Sequence, residues 1–256
     1  MKSTSKGRGP DRGLWSRYEI KYLINESKAV AIEQFIEPYV RLDHYCQIQP
    51  SGSYPVVSLY LDSDNLRLCR ESLHGHKNRF KLRIRSYTDE PDYPNFLEIK
   101  RRANTVIMKS RAEVTPCNVA PLLTRRLLNP QGNGSNGETI KQFMLYMNSI
   151  NGSPVIRTRY QRQAFEDIVD ERVRITFDRN LCYKMTPIAD VGLNGTGWQQ
   201  MLLNKVVLEI KFTGRYPPWL SQMVKYFDLR KQSLSKYARS IKRASALGFC
   251  APEIPR

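Results

Sequence analysis

The chain is poor in the residues that support cysteine and histidine chemistry. Its five cysteines, Cys46, Cys69, Cys117, Cys182 and Cys250, stand far apart with no C-x-x-C pair. An odd, scattered set disfavours a disulfide framework or a zinc site, so they read as reduced packing residues. Histidine occurs only as His44, His74 and His76; nothing near the H-x-H pair completes a metal constellation, and all three read as solvated. No apolar run approaches the ~18 consecutive residues of a membrane span. The opening stretch 1–13 is polar and basic without the apolar core of a signal peptide, which suggests a cytoplasmic chain. Carboxylates are scarce as well: 24 Asp and Glu stand against 41 Lys and Arg, a formal charge of +17. That excess calls for an anionic partner such as nucleotide, polyphosphate, nucleic acid or membrane surface. With 41% apolar residues, the 256-residue chain still has a globular composition, enough for one large domain or two small ones.

What the sequence does have is alternation. A period of two puts every second side chain on one strand face. It recurs over 17–24, 56–62, 79–87, 96–102, 106–114, 155–165, 172–183 and 205–212. Turn-rich residues at 88–95 and 103–105 make three of these consecutive antiparallel strands. Helical spacing fills the gaps. Asn25 caps a helix carrying Ala29, Ile32 and Ile36 that stops near Pro38, and 64–74 reads as a short helix or loop. Pro116 opens a helix to Leu128, residues 129–137 (N-P-Q-G-N-G-S-N-G) form a loop, and a helix follows over 138–148. A Gly-rich excursion occupies 192–197. Pro217 and Pro218 suit a helix start, with Leu220, Met223, Val224 and Phe227 at helical spacing. The last helix spans 235–247, with Gly248 as its C-cap. No linker divides the chain, so one domain is expected over 15–248, with a basic tail at 1–14 and a short tail at 249–256.

The polar strand faces carry the information. In R-F-K-L-R-I-R, Arg79, Lys81, Arg83 and Arg85 share one face, opposite Phe80, Leu82 and Ile84. Similar sets recur: Glu19 with Lys21, Glu98 with Lys100, Lys109 with Arg111 and Glu113, Arg172 with Arg174, and Glu209 with Lys211. For a single strand, a solvated charged face is sufficient explanation. Repetition over about eight strands argues instead for an α+β fold: a closed antiparallel barrel tunnel, its charges inward and its helices packed outside. Packed cations must keep water or bind an anion, and condensed phosphate offers successive oxygens to Arg and Lys. Glu209, Glu98 and Glu19 are then either ion-pair partners or holders of a divalent cation that bridges to phosphate, with Glu209 the strongest candidate.

The ordered series R-Y-E-I-K-Y-L-I, S-L-Y-L-D-S-D-N, R-F-K-L-R-I-R-S-Y, F-L-E-I-K-R and K-S-R-A-E-V continues as Y-Q-R-Q-A-F, R-V-R-I-T-F-D, V-V-L-E-I-K-F, P-P-W-L and S-L-S-K-Y. From Arg17 to Leu247 it resembles the VTC domain, the polyphosphate polymerase domain of the vacuolar transporter chaperone complex. That domain is one of the triphosphate tunnel metalloenzymes, related to CYTH phosphatases and cyclases. The resemblance implies a tunnel that moves the terminal phosphoryl group of ATP onto inorganic polyphosphate with Mn²⁺ or Mg²⁺. It implies phosphate binding by Lys21, Arg83, Arg85, Lys100, Lys109, Arg162 and Arg174. Lys81, Arg111, Arg172 and Lys211 join them from the charged faces, while Ser235 and Lys236 match the family's S-K-[FY] at a helix start that favours an anion. The residues expected to carry catalysis are Lys21, Arg83, Arg85, Lys109, Glu209 and Lys236, with metal at Glu209 and with Glu19 and Glu98 as further carboxylates.

Two departures bear on mechanism. Hydrolytic and cyclase relatives open with E-x-E-x-K, whereas Arg17 stands here in place of the first Glu. That disfavours a two-metal hydrolase activating water and favours phosphate itself as nucleophile. Eukaryotic relatives also carry an SPX domain and membrane helices, neither of which occurs in this sequence, so membrane association would need a separate partner protein. The rival readings are a tripolyphosphatase or nucleoside triphosphatase on the same barrel, and a polyphosphate-binding accessory subunit. Nucleic acid is not the expected partner, since the charges alternate on strands rather than clustering with exposed aromatics.

Overall fold

The computed structural model describes residues 17–104, 106–125, 134–169 and 172–248. Both expected tails, and part of the expected loop at 129–137, lie outside the described residues. The first half of the chain runs β1 (Arg17–Ile24), α1 (Glu26–Ile36), β2 (Val40–Leu42), α2 (His44–Gln47), β3 (Tyr54–Asp62), α3 (Arg67–Leu73), β4 (Arg79–Ser86), β5 (Asn95–Ala103) and β6 (Val106–Val114). The second half runs α4 (Pro116–Arg125), α5 (Gly134–Ser149), β7 (Ser153–Asp167), β8 (Val173–Met185), β9 (Gln199–Gln200), β10 (Val206–Thr213), α6 (Pro218–Tyr226) and α7 (Lys236–Ala246). The expected caps form: Asn25 accepts from the Lys28 N–H at the start of α1, and Gly248, at φ +76°, ends α7 in the left-handed conformation that suits glycine. Helix α5 begins at Gly134, inside the stretch read as loop.

The long strands pair antiparallel in the order β1-β10-β8-β7-β3-β4-β5-β6. This order has two ends. Among the described residues β1 and β6 share no backbone pairing, so the sheet is an open half-barrel and the expected closed barrel is not formed. Alternation specifies which face a side chain takes but not which edge a strand meets. Closing the seam would bring β6 within the ~4.8 Å spacing of paired strands and press Lys100 and Lys109 toward Lys21, with Glu19 the carboxylate between them.

Two apolar layers cover the convex face. Helices α4 and α5 bury Val119, Leu122, Phe143, Met144 and Met147 against Leu59, Leu61, Leu82, Ile84 and Leu97. On the other half, α1 and α6 bury Ile32, Ile36, Leu220 and Met223 against Ile175, Phe177, Leu208 and Ile210. One helix departs from the expectation that all pack outside. Helix α7 lies in the concavity, where Tyr237, Ala238, Ile241 and Ala244 pack with Tyr60, Tyr160 and Val207. An amphipathic pattern shows that one helix face is buried but not which side of a sheet buries it. Here the apolar residues of the concave face close one part of the half-barrel and leave the rest to charge.

Candidate active site

Register sets the first half of the site. In the β4–β5–β6 hairpins, Lys81 stands opposite Lys100, and Lys100 opposite Lys109; one step along the same face, Arg83 stands opposite Glu98 and Glu98 opposite Arg111. The second row is neutralised. Arg83 donates through Nε to Glu98 Oε2 at 2.6 Å, and Arg85 Nη1 lies 3.5 Å from Glu98 Oε1. These guanidiniums draw the Glu98 carboxyl down to about 2, against the burial that would raise it. The lysine row is not neutralised in the same way. Among the described residues Lys81 has a hydroxyl partner, Ser235 Oγ at 2.8 Å, and no carboxylate. Burial and the nearby charges of Lys100, Lys21 and Arg79 push the Lys81 ammonium down to about 7. Lys100 falls to about 8 through burial and its cationic neighbours, despite the opposing pull of Glu19.

The second half comes from β1, β10, β7, β8 and α7. Lys21 Nζ bridges Glu19 at 3.0 Å and Glu209 at 3.4 Å, and Lys211 takes the other Glu209 oxygen at 2.7 Å. Burial and the Glu209 charge oppose ionisation of Glu19, yet Lys21, Lys100 and Lys211 hold it at about 2. Glu209 is likewise held well below the usual carboxylate range by Lys21 and Lys211 despite its burial. Arg162 makes a fork onto buried Asp178 at 2.7 and 2.9 Å, and Lys236 reaches the same carboxylate at 2.6 Å. One carboxylate thus orients two cations, and the Ser235 hydroxyl caps α7 by accepting from the Ala238 N–H.

These side chains share one cavity of about 940 Å³. Lys21, Lys81, Arg83, Arg85, Lys100, Lys109, Arg111, Arg162, Lys211, Ser235 and Lys236 all line it, together with Glu19, Glu98 and Glu209. Arg172 and Arg174 do not. Arg172 is exposed just before β8, and Arg174 is held by Asp43 and Glu166 outside the cavity. Sequence reasoning placed Arg79 on the charged face without naming it as a site residue and missed Arg102, Lys231, Arg239 and Lys242; these five bring the lining to fifteen Lys and Arg against three glutamates. Their signal was present: Arg102 extends the Glu98–Lys100 row, while Lys236, Arg239 and Lys242 fall three apart on one helix. The three histidines are exposed and outside the cavity.

A family profile decides the kinship, since the VTC domain profile matches residues 16–245. The chain belongs to the VTC domain family. A search of curated protein sequences found no match to this VTC domain. Among solved structures it is similar to a candidate adenylate cyclase from Bacillus halodurans, at 13% identity and a TM-score of 0.46, covering 85% of this chain and 92% of the other. A second candidate adenylate cyclase, from Vibrio parahaemolyticus, gives 11% identity and a TM-score of 0.43 over 87% and 96% of the two chains. The Mimivirus capping enzyme triphosphatase gives 10% identity and a TM-score of 0.25 over 75% and 80%.

The carboxylates of this VTC domain fit a divalent cation only in company with phosphate. Among the described residues no group of three His, Cys, Asp or Glu stands close enough to hold an ion. Glu19 and Glu209, joined through Lys21, form a pair of hard oxygen donors, and Mg²⁺-like ions are commonly held by one or two carboxylates plus substrate phosphates. Glu98, the third carboxylate of the cavity, is paired with Arg83 and Arg85. Among the described residues no helix is long and apolar enough to cross a membrane.

Proposed function

We propose that this VTC domain is a polyphosphate polymerase that moves the terminal phosphoryl group of ATP onto an inorganic polyphosphate chain. The observation that carries the reading is the Lys81–Lys100–Lys109 row, three like charges abreast on adjacent strands inside a cavity. Like charges directly opposite one another destabilise a sheet. A run of phosphates neutralises them and favours the charged form of Lys81 and Lys100, which burial and the neighbouring cations oppose. Arg83 and Arg85 present planar forks to the same oxygens, and Arg162 and Lys236 are oriented beforehand by Asp178. Phosphoryl transfer asks chiefly for alignment and charge neutralisation, which these rows provide. A divalent cation, Mn²⁺ or Mg²⁺, held by Glu209 and Glu19 would add charge neutralisation at the phosphate oxygens.

The carboxylates favour a phosphate nucleophile over water. Glu19, held at about 2, and Glu209, held well below its ordinary value, are weak bases, and both are ion-paired to lysine. A terminal phosphate oxygen is already ionised at neutral pH and needs no base.

Purified protein incubated with ATP and Mn²⁺, with and without pyrophosphate primer, should give a polyphosphate ladder on a gel, matched by ADP. Orthophosphate release without a ladder would reassign the cavity to a hydrolase, and tight binding without turnover would make it an accessory subunit. Arg83→Ala should weaken tripolyphosphate binding by about thirtyfold, the loss of one charge-assisted contact of ~2 kcal/mol. Glu209→Gln should stay folded and lose metal-dependent turnover.

A further inference from the structure

We propose that the cavity takes polyphosphate sideways, through the unpaired seam between β1 and β6, so that an internal stretch of chain with no free end is a ligand. This rests on the phosphate reading above. It follows from how the seam is held. Among the described residues no backbone pairing joins its two strands. What crosses it is Glu19, 3.6 Å from Lys100 and 3.6 Å from Lys109, and the Lys109 side chain is half exposed. Among the described residues, Val106, Ile107 and Met108 on the same edge strand are exposed too.

Glu19 is mostly buried, but both contacts are long and their lysine side chains are 37% and 53% exposed, so solvent screens these pairs. An arriving phosphate replaces Glu19 at each ammonium contact for contact, so opening the lip costs little. The lysine row also points the right way. Lys81 sits at the cavity floor beside Ser235 of the α7 start, Lys100 is one strand outward, and Lys109 is on the edge strand itself. The row therefore runs across the strands, from floor to seam, and can draw a chain in along its flank. In a tunnel walled by hydrogen-bonded strands on all sides, a chain must enter by an end and leave by one. Here a chain grown in the cavity can leave as it came, without being drawn back through its length.

The test uses long-chain polyphosphate with both termini coupled to biotin through phosphoramidates and plugged with streptavidin, beside the same chain unplugged. Occupancy of the cavity, rather than of the basic outer surface, is read by mass spectrometry as protection of Lys81 from an amine-acylating reagent. The expected result is protection by both chains at concentrations within about threefold of each other. Protection by the open chain with a loss of about a hundredfold for the plugged one would overturn lateral entry and establish threading. If neither chain protects Lys81, the phosphate reading of the cavity fails, and lateral entry with it.

Discussion

Lys81 shows how a single buried side chain couples protonation to anion binding. Its ammonium is held at about 7 by burial and then by the cations around it, while an exposed lysine titrates near ~10.4. Between those values the unfolded chain binds a proton that the folded protein does not. The contribution of this group to stability therefore rises with pH through that window and is lost below about 7. Binding of a polyanion reverses the balance, because phosphate oxygens favour the charged amine. Tripolyphosphate should then bind with proton uptake, and its affinity should fall as pH rises from 7 toward 9, the range set by Lys81 and by Lys100 at about 8. Calorimetry at pH 8 in two buffers of different protonation enthalpy measures the uptake, which Lys81→Gln should reduce. Absence of uptake in the wild type would show that both amines are already charged in the free protein.

At the scale of the element, α7 is where the site and the core are the same object. Its first turn supplies Ser235 and Lys236 to the cavity, and one residue later Tyr237 stacks on Tyr60 at 4.8 Å and donates its hydroxyl to Asp62 at 2.5 Å. Asp62 in turn accepts from the Leu68 and Cys69 N–H groups, tying α3 to the same anchor. Tyr237→Ala should cost about 3–5 kcal/mol through the cavity it leaves. Tyr237→Phe removes the hydrogen bond alone and should cost about 1–3 kcal/mol. Denaturant melts of both variants check this; equal losses would show that the stacked ring contributes nothing beyond its hydroxyl. Little of this was legible in the sequence. Period-two alternation located the eight long strands and put Lys81, Arg83, Lys100 and Glu209 on a shared face, because side-chain direction is a local property. The three-residue β2, the four-residue α2 and the two-residue β9 are too short to show a period. The burial of α7 in the concavity, the open β1–β6 seam and the diversion of Arg174 to Asp43 and Glu166 are long-range pairings, which no local pattern encodes.

At the scale of the whole molecule, the chain carries a formal charge of +17, and fifteen of its lysines and arginines meet three glutamates in one cavity. Self-repulsion of this kind opposes the compact state, and two sorts of anion relieve it differently. Simple salt screens all charges alike, most effectively those on the surface. A ligand bound in the cavity stabilises by mass action instead, about 2.7 kcal/mol at a hundred times its Kd. For a chain of this size that corresponds to a rise in Tm of roughly 5–10 °C. Tripolyphosphate should therefore raise Tm well beyond sodium chloride at matched ionic strength, and added chloride should erode the difference as it competes for the phosphate contacts. Lys100→Gln separates the two effects. Removing the middle member of the lysine row should raise the Tm of the empty protein, since two like-charge neighbours lose their repulsion, and should shrink the tripolyphosphate shift. If chloride and tripolyphosphate stabilise equally at matched ionic strength, the cation excess is a general surface charge and the cavity holds no specific phosphate site.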